Sequence, residues 1–389
     1  MRTMHPVLKR GGLYWDRDLL PPANYRERFA RVQKAIAAAG DDAWLFYGDV
    51  ERYGAVAWFS NFLPRTRAAL ALVPREGEPT LLLAVGLRDV PAAKTLTWVD
   101  DVRPYGNLPK SLAALIEERG LTAARVGLAG VEELLPMKAW SEIAAALPGL
   151  RTRSRTGELN AMRARKDECE IAAIRATGAI VRKAFEECAA SIKPGRTMRE
   201  VTAELDRACR VRAAEDVRVM AASGEQAGQS LRPADDRVLK SGDSALVYLA
   251  VEAQRYWAEG ARTFVVGRAS DEVRWLFARG ERATNAMRAA TRAGATGGGI
   301  ALAAQSALGG GALAASAAGY GFGNGVGLDE NEYPLIAAGS AETLADSAAV
   351  ALRALGHEGG LGVALAETLL VRGASVESLT GAPGLIECL

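Results

Sequence analysis

Only two of the 389 residues are histidines, His5 and His357, which excludes His-rich metal sites and most histidine general-base schemes. The four cysteines, Cys169, Cys188, Cys209 and Cys388, form no CxxC pair or ligand spacing and read as reduced, core-packed thiols of a cytoplasmic protein. The glycine run Gly319 to Gly327 lacks the Lys-Ser/Thr ending of a phosphate-binding loop and does not open the first strand–helix turn of a dinucleotide fold. Proton transfer in this chain therefore falls to carboxylates and tyrosines, with burial raising the pKa of a carboxyl that must act near neutrality.

The elements that carry these groups are readable from hydrophobic period. Tyr25 to Gly40 has apolar residues at helical spacing and a glycine stop. Ala43 to Tyr47, Ala55 to Phe59, Ala68 to Val73, Thr80 to Val85 and Arg125 to Ala129 read as short buried strands, and Ser111 to Arg119 and Pro136 to Ala146 as helices. That alternation predicts an α/β N-terminal domain over residues 1–155. Beyond the basic stretch Arg151 to Glu158 the pattern changes, with a long helix over Lys166 to Ile192. A second follows over Met198 to Arg210, opened by the capping pair Thr197 and Glu200. Strands follow at Val217–Ala221, Ser244–Val251 and Ala261–Val266, then a helix over Asp271 to Ala293. The triplets Gly297–Gly299 and Gly309–Gly311 read as loop and helix-end glycines. Helices first and strands later predict an α+β domain over residues 156–389.

Charge excludes other classes. Lys and Arg total 48 against 46 Asp and Glu, with no like-charge block, so a nucleic-acid or polyanion partner has no footing. No apolar run approaches the roughly 20 residues of a membrane span, and Met1 to Arg10 has no signal-peptide core.

An ordered set of motifs in the second domain carries a resemblance. Met162 to Glu168 opens the long helix, followed by Ile192-Lys193-Pro194-Gly195-Arg196-Thr197, Ser223-Gly224 and Leu239 to Asp243. Ala261-Arg262-Thr263-Phe264, Gly319 to Leu328, Glu332-Tyr333-Pro334 and Glu367-Thr368-Leu369-Leu370-Val371 complete it. Order and spacing resemble the creatinase/aminopeptidase P/methionine aminopeptidase family (peptidase M24), whose catalytic domain has the α+β pita-bread fold. Ala57 to Phe62 matches the N-terminal domain of creatinase and aminopeptidase P.

The resemblance implies a dinuclear metal site of two Asp, one His and two Glu around a bridging water. Its ligand positions fall on Tyr248, Glu259, Asn324, Arg353 and Ala366. Of these only Glu259 is a carboxylate, and an arginine places fixed positive charge where a cation belongs. The expectation is no metal and no other cofactor. The family's catalytic histidine falls at or near Leu231, and a second one at Asn331 beside Glu332.

The metal-free precedent is creatinase, and the expected activity is metal-independent hydrolysis of a C–N bond in a small polar or zwitterionic metabolite. Glu259, Glu332 and Asn324 are the candidate catalytic residues, with Glu332 or Glu259 as base. Arg353, Tyr248, Tyr256, Arg65, Arg67 and Arg262 are the candidate substrate-binding residues. The resemblance also implies a homodimer in which Arg65 and Arg67 reach the partner's site. The alternatives are a lyase using a carboxylate base, a catalytically inactive binding protein, and an Xaa-Pro aminopeptidase-like metallopeptidase. His357 reads as a turn residue.

Overall fold

The computed structural model describes residues 14–65 and 67–389; His5, the Met1–Arg10 segment and Thr66 lie outside the described residues. Two compact units divide at Arg163 and Ala164, later than the expected boundary at 155. The difference arises because the strand Arg151–Ser154 (β6) pairs with the strand Arg125–Ala129 (β5) as the last strand of the first sheet, and the helix after it stays with that unit.

In the first unit, α1 (Pro22–Ala39) ends where Gly40 takes a left-handed φ of 67°. The strands β1 (Ala43–Asp49), β2 (Ala68–Pro74), β3 (Thr80–Leu83), β4 (Asp101–Pro104) and β5 (Arg125–Ala129) join β6 in the order β4-β3-β2-β1-β5-β6. On one face Leu45, Leu70, Leu82, Val126 and Leu128 pack against Leu112, Leu115 and Ile116 of α3 (Leu108–Glu118) and Ile143 of α4 (Met137–Ala146). Each such side chain contributes about 1.5–3 kcal/mol on burial. On the other face Phe46 stacks on Phe59 at 5.2 Å. Phe59 belongs to a helix, α2 (Gly54–Ser60), where the sequence predicts a strand. All seven residues of α2 are buried, so no amphipathic period distinguishes it from a buried strand.

The second unit is a pita-bread α+β domain. Its long helix α5 (Glu168–Ala189) and α6 (Met198–Arg210) both begin with a closed capping box, Asp167 with Glu170 and Thr197 with Glu200. Such a cap stabilises a helix by about 1 kcal/mol. Strands β7 (Asp216–Ser223), β8 (Ser244–Ala253), β9 (Tyr256–Val266), β10 (Gly323–Gly325), β11 (Glu332–Ile336), β12 (Ala349–Glu358) and β13 (Leu361–Arg372) form one sheet in the order β11-β10-β12-β13-β9-β8-β7. Two short strands flank this path: β14 (Ser375–Ser378) on β13 and β15 (Leu385–Cys388) on β9.

Alternation decides which residues face the helices. Val247, Leu249 and Val251 of β8 and Ala258 and Phe264 of β9 join Val181, Phe185, Val201 and Leu205 of α5 and α6 in one core. Val350 and Leu352 of β12 and Leu365 and Leu369 of β13 join the helices α7 (Asp271–Ala290), α8 (Gly297–Leu308) and α9 (Ala312–Tyr320) in another. The opposite face therefore carries Tyr248, Ala250, Trp257, Glu259, Ala261, Arg353 and Ala366. Gly297–Gly299 open α8 rather than a loop, since Thr296 caps Gly299 and a Cβ at Gly297 would meet the Leu335 carbonyl at 2.0 Å. Cys188 and Cys209 lie in the core, where burial pushes each thiol to about 12. Among the described residues no helix is long and apolar enough to cross a membrane.

Candidate active site

Registration of four strands lines up the central residues of the open face. Arg353 of β12 lies opposite Ala366 of β13, Ala366 opposite Ala261 of β9, and Ala261 opposite Tyr248 of β8. Glu259 lies opposite Ala250. The alanines leave room for long polar side chains to converge. Arg353 reaches over β13 so that its Nη2 donates to Glu259 Oε1 at 2.9 Å and to Asn324 Oδ1. Glu259 Oε2 is hydrogen-bonded to the Tyr248 hydroxyl, which also lies 3.0 Å from Glu330 Oε1. Glu330 Oε2 accepts from Arg218 Nη1, and Arg218 covers the Trp257 ring at 4.5 Å from its centroid.

Glycines position the Asn324 corner. Gly323 has φ 147°, and a Cβ there would meet the Ala351 carbonyl at 2.0 Å. At Gly327 a Cβ would meet Lys166 Nζ at 2.7 Å. Asn324 donates from Nδ2 to the carbonyl oxygens of Gly325 at 2.8 Å and Glu330 at 2.9 Å, which ties the following loop to β10.

Burial is the largest influence on Glu259 and raises its pKa, seconded by the charge of Glu330. Arg353 and the Tyr248 hydrogen bond oppose the rise without cancelling it. Proton counting agrees, because one hydroxyl proton cannot serve both carboxylates beside Tyr248. Tyr248 is itself pushed well above its ordinary value, by burial and then by Glu259 and Glu330, so it stays a neutral donor. Burial works against the charge on Arg353, but Glu259, Tyr248 and Glu330 outweigh it and hold the guanidinium protonated.

Several expected site residues lie elsewhere. Glu332 is buried against Lys166 Nζ at 2.6 Å, and its other oxygen accepts from the Leu328 N–H at 2.8 Å and the Asp329 N–H at 3.2 Å. It braces the loop. Arg262 and Tyr256 are each an odd number of residues from Glu259 and point to the helix side. There Arg262 donates to the carbonyl oxygens of Ala366, Thr380 and Gly381, and the Tyr256 hydroxyl meets Glu170 Oε1 at 3.2 Å. Arg65 and Arg67 belong to the first unit, in the segment leading into β2. His357 is a β12 residue, not a turn, and with Leu231, Tyr320 and Leu355 lines a small cavity of about 10 Å³. Glu330 and Arg218 were not foreseen. Only strand alternation from Met220, which pairs with Tyr248, would have pointed to Arg218.

Residues 172–373 match the sequence profile of metallopeptidase family M24, and residues 28–165 that of the creatinase/prolidase N-terminal domain. The chain belongs to family M24.

Curated relatives include the "Probable dipeptidase PepE" of Mycobacterium bovis and of Mycobacterium tuberculosis. Each is 27% identical over 284 residues, which cover 70% of this chain and 72% of the relative. Similar solved structures include the X-Pro aminopeptidase from Thermotoga maritima, with a TM-score of 0.83 and 24% identity over 92% of this chain and 99% of the other. Dipeptidase PepE from Mycobacterium ulcerans has a TM-score of 0.82 and 23% identity over 95% of this chain and 99% of the other. At that identity the likeness shows the M24 fold alone.

The M24 name implies metal, and the residues here do not fit a dinuclear centre. Tyrosine, asparagine, arginine and alanine hold four of the five matching positions, and the Arg353 guanidinium already pairs with the one carboxylate among them. Among the described residues no group of three or more His, Cys, Asp or Glu is placed to hold an ion.

Proposed function

We propose that this M24 protein is a dipeptidase-type hydrolase acting on the amide C–N bond of a short zwitterionic peptide, with an arginine–carboxyl cluster in place of a metal pair. The observation that carries the reading is the state of Arg353. Its Nη2 is spent on Glu259 and Asn324, while its buried Nε and its Nη1 have no acceptor among the described residues. A guanidinium with unmet donors beside a neutral tyrosine and a buried carboxyl suits a ligand carboxylate. The relatives named dipeptidase and X-Pro aminopeptidase favour a peptide over the guanidino metabolite that a creatinase-like site suggests.

In this scheme Arg353 holds the peptide carboxylate. Tyr248 hydrogen-bonds the scissile carbonyl oxygen, with Glu259 behind it; water adds to the carbonyl carbon, its proton passes to the amide nitrogen, and the C–N bond breaks to release the free amine and carboxylate. Neither carboxylate expected as a base is available to activate water. Both oxygens of Glu259 are engaged, by Arg353 and by Tyr248, and Glu332 is engaged by Lys166. Attack is then driven from the acid side alone, and slow turnover is expected. The same fact favours a second reading, a peptide-binding protein without turnover.

Incubation with a dipeptide panel that includes Xaa-Pro members, followed by mass spectrometry of the products, separates the two. The hydrolase reading predicts release of free amino acids at the same rate with and without EDTA. Binding without product supports the second reading, and release abolished by EDTA contradicts both.

A further inference from the structure

Glu330 is a charged side chain that the catalytic scheme leaves unused, and its loop does not depend on it. The segment from Gly327 to Glu332 is fixed by other groups. Glu332 accepts from the Leu328 and Asp329 N–H groups and from Lys166, and Asn324 holds the backbone carbonyl of Glu330 at 2.9 Å. The Glu330 carboxylate instead projects over the cluster and touches Tyr248 and Arg218. The Glu330 side chain keeps 15% of its surface exposed and that of Arg218 38%, so their contact lies at the solvent edge. Asp216 backs Arg218 at 3.5 Å.

We propose that Glu330 is a displaceable internal counter-ion, occupying against Arg218 and Tyr248, at the edge of the Arg353 cluster, the place that the carboxylate of an incoming peptide takes. Residue 330 then sets both the affinity and the selectivity for ligands with a free C-terminal carboxylate. This rests on the reading that the site binds a short peptide, and adds which residue governs it. The exchange replaces one carboxylate by another, so the Arg218 guanidinium is never left without an anion. The pair lies at the solvent edge and is screened there, which makes the exchange feasible. The tether nevertheless gives Glu330 a high local concentration, against which any ligand must compete. Because the loop is pinned at Glu332 and at its backbone, the side chain can leave without unfolding it.

A purely structural ion pair predicts the opposite, namely that removing Glu330 loosens the loop and weakens binding. Calorimetric titration of the full-length protein, Glu330→Ala and Glu330→Gln with alanylproline and with its C-terminal amide decides the matter. The expected result is at least tenfold tighter binding of alanylproline by Glu330→Ala than by the unaltered protein, with less than a twofold gain for the amide. The isosteric Glu330→Gln should shift in the same direction, which guards against a folding defect in the alanine variant. Unchanged or weaker binding of the acid, or an equal gain for acid and amide, overturns the inference and leaves the peptide-binding reading intact. Failure of all three proteins to bind either peptide overturns both.

Discussion

Arg353→Ala is expected to weaken alanylproline binding by about ten- to a hundredfold and to remove any turnover. A charge-assisted hydrogen bond contributes about 1.5–3 kcal/mol, and each 1.4 kcal/mol is a factor of ten in affinity. Losing a charged donor that faces the ligand carboxylate therefore costs up to about 3 kcal/mol of binding. Arg353→Lys should not rescue it. A lysine is shorter than the arginine whose Nη2 meets both Glu259 and Asn324 over Ala366, and it has no second nitrogen left for the ligand. The variant also leaves Glu259 Oε1 and Asn324 Oδ1 buried with one partner fewer, at about 1–3 kcal/mol each. Calorimetry for affinity and thermal unfolding for stability check the two halves. Wild-type affinity in Arg353→Ala would move the ligand carboxylate elsewhere.

The second large effect is on Glu259, which is fully buried. Glu259→Ala strips the Arg353 and Tyr248 contacts and opens a cavity between Ala250, Ala261 and Ala366. Breaking a buried pair of this kind costs about 3–5 kcal/mol. In a domain of this size that lowers the melting temperature by roughly 2–4 °C per kcal/mol, or on the order of 10 °C. Glu259→Gln keeps the shape and should be far milder. The sign of the pH dependence follows from the raised pKa. The folded state holds the Glu259 proton more tightly than the unfolded chain. Its stability contribution is thus complete below the ordinary carboxyl range and is lost as pH rises through the raised value. Glu259→Gln lacks that loss, so its melting temperature should gain on the unaltered protein as pH rises above the ordinary carboxyl range. A gain by the unaltered protein instead would show Glu259 ionised against Arg353.

The helices with explicit end signals were legible in the sequence. Gly40 stops α1, and Thr197 with Glu200 starts α6. What failed was period without contrast. The helix α2 is buried on every side and reads like a strand, and Gly297–Gly299 look like a loop until the carbonyls packed against them are known. In the site, the spacing of Tyr248 and Glu259 on a hairpin placed them together, and the positions of Asn324 and Arg353 followed from the motif order. Arg262 and Tyr256 could have been set aside from sequence, since each is an odd number of residues from Glu259 along one strand. The choice between Glu330 and Glu332 was not legible. They stand two residues apart in an acidic stretch, and only the position of Lys166 across the fold decides which one is neutralised and which faces the cluster.

The central claim is that the Arg353-centred cluster has replaced a dinuclear metal centre. Elemental mass spectrometry tests it on untagged protein, equilibrated with excess Mn²⁺, Co²⁺ or Zn²⁺ and then freed of loosely held ion by gel filtration. The structure predicts a metal content close to zero per chain, because Arg353 pairs with the one carboxylate at the ligand positions. One or two tightly held ions per chain, lost in Glu259→Ala, would contradict the account and restore a metallopeptidase site.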